Sequence, residues 1–131
     1  MKKVAIFDID GTIFRSSLLI ELMEAMIREG VMPEKTREVY ALARAKWLNR
    51  EGSYEEYIGA VVKAFESRMK GIPEKTFLNV SRRVVAVFGK RVYRYTRDLV
   101  RTLHREKYFV LAVSNSPKVI LDPFCKKWCF D

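Results

Sequence analysis

The fold is decided by the stretch Lys3-Val-Ala-Ile-Phe-Asp-Ile-Asp-Gly-Thr12 near the amino terminus. An apolar run with β-branched residues stops abruptly at acidic and small polar residues, which is typical of a buried strand that leads into a loop. A second apolar run, Tyr108 to Val113, stops in the same way at Ser114-Asn-Ser-Pro117. Because helical patterns fill the chain between the two runs, we predict an α/β fold with a parallel sheet.

Helix start and stop signals divide the rest of the chain into six helices. Ser17 is a suitable N-cap, Gly30 is a suitable stop, and Ser53 to Glu56 has the spacing of a capping box. A proline such as Pro33 suits a first helical turn. The predicted helices cover 18–29, 33–51, 53–70, the stretch beyond 73 up to 88, 94–106 and 118–128.

Two acids, Asp8 and Asp10, follow the first predicted strand at its carboxyl end, where open α/β sheets bind ligands. Carboxylates this close repel each other unless a cation lies between them, and Mg²⁺ takes oxygen ligands from carboxylates and substrate phosphate. One carboxylate beside such a cation can attack phosphorus, and the other can protonate the leaving group and activate water. Gly11 permits a sharp turn, and Thr12 can satisfy nearby acceptors. By itself, an acidic pair at a strand end is more often a solvated turn.

The full string, a hydrophobic strand followed by Asp8-Ile-Asp-Gly-Thr12, resembles the first motif of the haloacid dehalogenase-like superfamily. The strand that ends at Ser114 resembles the second motif. His104, shortly before that strand, resembles a histidine of the phosphoserine-phosphatase-like branch, although a single histidine late in a helix more often packs than reacts. The resemblance implies a partial Rossmann-like core, residues 1–15 and 89–131, with an inserted all-helical cap, residues 16–88.

The same resemblance implies a Mg²⁺-dependent phosphomonoester hydrolase, or a related phosphotransferase, that acts on a small phosphorylated substrate through an aspartyl-phosphate. Asp8 would be the nucleophile and Asp10 the general acid and base, and the Asp8 carboxylate with the Asp10 backbone carbonyl would bind the metal. The Ser114 hydroxyl and the backbone N–H of Asn115 would hold the phosphoryl oxygens. The implied phosphate-binding set also includes Gly11 and Thr12, and the polar candidates for recognising the rest of the substrate are Arg15 and Glu21.

Two parts of the family pattern, a third-motif lysine and fourth-motif acids, have no counterpart in the sequence. The lysines after Ser114 lie on a predicted helix, and no further buried strand ending in paired acids follows. Two parallel strands alone leave most of their backbone groups unpaired. We therefore expect a truncated or split gene product, and the alternative to an enzyme is an incomplete fragment that needs a missing carboxyl-terminal half or a dimer.

The composition favours a globular domain with anionic partners. The chain has 131 residues, of which 49% are hydrophobic and 31% are charged. No apolar run approaches the ~20 residues of a membrane span, no signal-peptide pattern opens the chain, and the two cysteines cannot form a disulfide scaffold. We therefore expect a cytoplasmic protein with no membrane partner. The net charge is +9, because residues 81–131 carry 12 basic against 4 acidic side chains.

A basic stripe lies opposite the apolar face of one predicted helix. The stripe is Arg94, Arg97, Arg101 and Arg105, and the apolar face is Tyr95, Thr96, Leu99 and Leu103. A nucleic-acid-binding module is our third hypothesis, but without a recognised motif or an exposed aromatic platform the sequence favours a solvated helix face. Cys125 and Cys129 lack further cysteine or histidine partners for a zinc site, so we expect them to be buried apolar side chains.

Overall fold

The computed structural model describes residues 3–131, and the order of its elements is the predicted one. The elements are β1 (Val4–Asp8), α1 (Leu18–Arg28), a short 3₁₀ helix (Glu34–Arg37), α2 (Glu38–Leu48), α3 (Tyr54–Arg68), α4 (Glu74–Phe88), α5 (Arg94–Arg105), β2 (Phe109–Val113) and α6 (Lys118–Lys127). The helix predicted over 33–51 is shorter and divided. Pro33 is extended and precedes the 3₁₀ turn, and a helix cannot continue through Arg50, whose φ is 63°. None of the described helices is both long enough and apolar enough to cross a bilayer.

The two strands form a parallel pair, as the sequence predicts. β1 and β2 align Val4 with Phe109 at one end and Asp8 with Val113 at the other. Parallel pairing brings the carboxyl ends of both strands to the same edge of the sheet. The loops that follow Asp8 and Val113 therefore leave the sheet side by side.

The prediction that both strands are fully buried is wrong. Val4 is 49% exposed, Ile6 is 65% exposed and Val113 is 59% exposed, whereas Val110 is completely buried. Successive side chains of a strand point to opposite faces of the sheet, and the parallel register places Val4, Ile6 and Val113 on one face. Within residues 3–131 this face stays largely open.

The first of two compact units contains the described residues up to Leu18 together with Ser81–Asp131. Its core includes Phe14 and Phe124, whose rings meet edge to face with centroids 5.5 Å apart. Edge-to-face packing of two rings is more favourable than the burial of their apolar surface alone would make it. The unit holds both strands, α5 and α6, and hence both motifs.

The second unit, Leu19–Val80, is helical. Some of its aromatic side chains pack together, with the ring centroids of Tyr40 and Tyr57 6.4 Å apart. The predicted capping box of α3 is confirmed: the Glu56 N–H donates to the Ser53 hydroxyl at 3.1 Å, and the Ser53 N–H donates to the Glu56 carboxylate at 3.2 Å. The division at residues 18/19 and 80/81 differs from the predicted 15/16 and 88/89, and the assignment of core and cap stays a prediction.

The apolar face of α5 is centred one residue away from its predicted position. Val100 is buried, whereas Tyr95, which we assigned to the apolar face, is 77% exposed. Thr96 lies one turn before Val100 and donates from its hydroxyl to the Thr12 carbonyl at 2.8 Å. The face therefore follows the helical spacing through Thr96, Val100 and Leu103, and Tyr95 lies outside it.

The two cysteines have different environments. Cys125 is partly buried in α6, but Cys129 is exposed and has a φ of 59°, so the prediction of a buried side chain is wrong for Cys129. Cys129 lies beyond the last turn of α6, in a left-handed conformation that ends the helix. Both thiols are free.

Candidate active site

A tight turn follows β1 and fixes the positions of the two acids. The Ile13 and Phe14 N–H groups both donate to the Ile9 carbonyl, at 3.0 and 2.9 Å, and the Gly11 N–H donates to the Phe14 carbonyl at 2.8 Å. Gly11 has a φ of 80°, a backbone conformation that residues other than glycine rarely adopt. The sharp turn that the sequence suggested at Gly11 is therefore present.

Asp8 is the exposed member of the acidic pair. Its carboxylate accepts a hydrogen bond of 2.7 Å from the Thr12 hydroxyl, four residues further along the chain. Thr12 thus contacts the candidate nucleophile directly. The Asp8 carboxylate remains open to solvent at the carboxyl end of β1, where a phosphoryl group or a cation could reach it.

Asp10 is half-buried and accepts three hydrogen bonds. The backbone N–H of Leu18, the first residue of α1, donates at 2.7 Å. The hydroxyls of Ser114 and Ser116 donate at 2.5 and 3.0 Å. Asp10 therefore joins the loop after β1, the start of α1 and the loop after β2 through a single carboxylate.

The loop after β2 brings two serines to this carboxylate. The Ser116 N–H donates to the Ser114 hydroxyl oxygen at 2.9 Å, so Ser114 accepts one hydrogen bond and donates another to Asp10. Sequence analysis missed Ser116. A second hydroxyl two residues after Ser114 and immediately before Pro117 was the available signal, because serine side chains in turns often bond to groups two residues away. Asn115, between the two serines, is exposed.

The two candidate substrate-recognition residues lie apart from these hydrogen bonds. Arg15 is exposed, its N–H donates to the Arg91 carbonyl at 2.8 Å, and its guanidinium lies 5.8 Å from the centre of the Tyr93 ring. Glu21 is half-buried on α1 and belongs to the second unit. A role in substrate recognition stays a prediction for both residues.

The second unit holds an acid that sequence analysis did not single out. Glu24 on α1 accepts from the Tyr40 hydroxyl at 2.6 Å and from Arg37 Nε at 2.9 Å. Arg37 also forms an ion pair with Glu34. Burial and the hydrogen bond to Glu24 raise the pKa of Tyr40, which keeps the phenol neutral across the physiological range. These hydrogen bonds connect α1 to the start of α2, and no sequence motif predicts them.

The oxygens around the acidic pair fit a partial Mg²⁺ site. The Asp8 carboxylate is exposed, and the Asp10 carbonyl accepts no backbone hydrogen bond from residues 3–131. Mg²⁺ is commonly held by one or two protein oxygens together with water and substrate phosphate. Across the described part of the chain, no three histidine, cysteine or acidic side chains gather into one metal-binding group. The Asp8 carboxylate and the Asp10 carbonyl therefore stay the predicted ligands for Mg²⁺.

Comparison with known proteins identifies the family. A family model described as haloacid dehalogenase-like hydrolase matches residues 5–131, and the chain belongs to this family. The predicted resemblance to the haloacid dehalogenase-like superfamily is thereby confirmed.

One solved structure extends this finding toward a branch of the family. The chain is similar to the phosphoserine phosphatase from T. onnurineus, crystallised in complex with NDSB-201, with 30% sequence identity and a TM-score of 0.52. The match covers 96% of this chain and 54% of that one, so the chain spans about half the length of that phosphatase. It confirms the resemblance to the phosphoserine-phosphatase-like branch. No curated protein matches the chain.

Proposed function

We propose that this chain carries the nucleophile and the acid–base group of a Mg²⁺-dependent phosphomonoester hydrolase. The observation that carries the proposal is the arrangement of the acidic pair: Asp8 is exposed at the end of β1, and Asp10 is bonded to Ser114 at the end of β2. Membership of the haloacid dehalogenase-like family and similarity to a phosphoserine phosphatase support a small phosphorylated substrate. The cytoplasmic location of the protein stays a prediction.

Asp8 begins the proposed reaction. A carboxylate oxygen of Asp8 attacks phosphorus, the bond from phosphorus to the substrate oxygen breaks, and Asp10 gives its proton to that oxygen. Asp10 then takes a proton from water, whose oxygen attacks phosphorus, and inorganic phosphate leaves with Asp8 regenerated. Mg²⁺ bound to the Asp8 carboxylate and the Asp10 carbonyl would screen the repulsion between the carboxylate and the phosphate.

Ser114 couples phosphate binding to the protonation of Asp10. In the structure Leu18 and Ser116 donate to one Asp10 oxygen and Ser114 donates to the other. A proton on the oxygen that accepts from Ser114 would compete with the Ser114 hydroxyl proton for the space between the two oxygens. The Ser114 hydroxyl can rotate from Asp10 to a phosphoryl oxygen. That rotation would bind the phosphate and free one Asp10 oxygen in the same movement.

The remaining parts of the phosphate site follow from the loops. The Asn115 N–H would supply a further donor to the phosphoryl oxygens. The N–H groups of Gly11 and Thr12 donate to backbone carbonyls and the Thr12 hydroxyl donates to Asp8, so these two residues would shape the phosphate site through the turn that they form. Arg15 and Glu21 would contact the part of the substrate beyond the phosphate. Weak turnover is expected from the chain alone, because the loss of one charge-stabilising group typically costs about 10²–10³ in rate.

The test is Mg²⁺-dependent release of phosphate from an aryl phosphate by the purified chain, compared with Asp8→Asn. The amide is nearly isosteric and removes the nucleophile. We expect weak release by the native sequence and none by Asp8→Asn. Mass spectrometry after acid quench should show a phosphoryl adduct of about 80 Da on the peptide that contains Asp8.

A matched control is Asp122→Asn, which removes an acid on α6 whose partner is Lys118. This variant should keep the activity of the native chain. Equal release by the native chain and Asp8→Asn would refute the nucleophile assignment. Tight binding of phosphate without any turnover would instead favour an incomplete fragment that binds but does not react.

A further inference from the structure

A groove of about 730 Å³ lies beside α5 on the unit that holds the strands. One wall is the basic side of α5, and the other is the end of α6 with the residues that follow it. We call it the basic groove, and define it by Arg97, Arg101, Arg105, Lys127, Trp128 and Phe130. Neither acid of the candidate active site lines it, so its occupant is independent of the proposed hydrolase reaction.

The basic groove has an excess of positive charge. Asp98 is the acid among its lining residues, and it bonds to Arg97 at 2.8 Å and lies 3.6 Å from Arg101. Arg101 remains 61% exposed. In residues 3–131 no carboxylate forms an ion pair with Arg105 or Lys127. A groove whose cations outnumber its acids concentrates anionic ligands.

The spacing of the arginines suits an extended anion. Arg97, Arg101 and Arg105 follow one another at intervals of four residues, which places them on one side of α5. At a rise of 1.5 Å per residue the three span about 12 Å along the helix axis. A single phosphate can reach one or two of them, whereas a chain of phosphates can engage all three.

The groove also contains the aromatic surface that the sequence alone did not reveal. The Trp128 Nε1–H donates to the Gly89 carbonyl at 2.8 Å, which fixes the indole. The Arg101 guanidinium lies 5.9 Å from the centre of the Trp128 ring. Phe130 also lines the groove and meets Phe7 edge to face, with ring centroids 6.3 Å apart. A planar ring beside a row of arginines is the combination that binds single strands through stacking and phosphate contacts.

We propose that the basic groove binds single-stranded nucleic acid. The phosphates would contact Arg101, Arg105 and Lys127, and a base would lie against Trp128. A duplex hides its bases from such a platform, and a mononucleotide is too short for the row of arginines. The sequence disfavoured nucleic acid because it shows neither a recognised motif nor an exposed aromatic platform, and the fold supplies an aromatic side chain in the lining of the groove.

The first experiment follows Trp128 directly. Trp47→Phe leaves Trp128 as the one tryptophan in the chain and changes a residue of the other unit. Titration with a single-stranded DNA 12-mer should quench its fluorescence. With three phosphate contacts, log K should fall with log salt at a slope of about −2, since single strands give about −0.7 per contact.

The second experiment compares two double variants by fluorescence anisotropy of the labelled 12-mer. Arg101→Gln with Arg105→Gln should weaken binding about 25-fold at 0.1 M salt, because each lost contact costs about fivefold there. The matched control, Lys63→Gln with Arg68→Gln, removes the same charge from exposed positions of α3 and should change affinity less than twofold.

Several outcomes would overturn the proposal. They are no binding, equal losses in the two double variants, tighter binding of a duplex of the same sequence, and binding of a mononucleotide as tight as that of the 12-mer. Heparin that matches the 12-mer in affinity would also refute it, because a general polyanion site needs no base against Trp128. Quenching by the strand and not by heparin supports it.

Discussion

Replacement of each acid of the pair by alanine should destabilise the protein very unequally. Asp10 accepts three hydrogen bonds, from Leu18, Ser114 and Ser116, whereas Asp8 accepts one, from the exposed Thr12 hydroxyl. A hydrogen bond contributes about 1 kcal/mol, and more when its acceptor is charged and shielded from water. We therefore expect Asp10→Ala to lower the free energy of unfolding by about 3 kcal/mol and Asp8→Ala by about 0.5 kcal/mol.

Urea unfolding followed by circular dichroism measures this difference. With a slope near 2 kcal/mol per molar urea, the midpoint of Asp10→Ala should lie about 1 M below that of Asp8→Ala. If Asp10→Ala does not fold, Asp10→Asn serves instead, because its amide oxygen keeps part of the bonding and its loss should be about 1–1.5 kcal/mol. Equal midpoints for Asp8→Asn and Asp10→Asn would refute the argument, since the three donors would then contribute nothing to stability.

Two further predictions use pairs of similar residues in different settings. Gly11→Ala should lower the free energy of unfolding by about 1 kcal/mol, because Gly11 has a φ of 80°. Gly59→Ala in α3 should raise it by up to about 1 kcal/mol, because alanine favours a helix and the space around Gly59 is open. Thermal unfolding measures both changes, and equal effects of the two substitutions would contradict this prediction. Burial raises the pKa of Cys125 to about 11, so at pH 8 its thiolate is ~100-fold scarcer than that of an ordinary thiol. Iodoacetamide should label the exposed Cys129 first, and both cysteines in urea; faster labelling of Cys125 in the folded chain would refute this.

The hydrogen bonds of Asp10 connect stability with the proposed chemistry. The carboxylate that would move protons also holds the loops after both strands and caps the start of α1. Negative charge at a helix N-terminus is favourable, so α1 helps to fix the acid. Asp10 thus has a structural role that Asp8 lacks, although both are acids of the same sequence motif.

The proposal of nucleic-acid binding depends on tertiary structure for a specific physical reason. The sequence shows the arginines of α5 as a stripe at helical spacing. Trp128 is 23 residues beyond Arg105 and lies at the carboxyl end of a different helix, α6. Periodicity reports neighbours on one element and says nothing about which other element packs beside it. The basic groove forms where Trp128 and the residues around it lie beside the basic side of α5.

The sequence by itself determined the elements and the family. Apolar runs and helical periods predict the observed order of strands and helices, and the string from Asp8 to Thr12 resembles the first motif of the family to which the chain belongs. These features are local, because hydrophobic spacing, caps and turn glycines act over a few residues.

The tertiary structure decided everything that depends on residues distant in the chain. It separated the exposed Asp8 from the bonded Asp10, brought Ser116 to a carboxylate 106 residues away, left Val4 and Ile6 on an open face, and moved the centre of the α5 face to Val100. Burial and long-range hydrogen bonds are set by how elements pack, and a linear pattern carries no information on which face finds a partner.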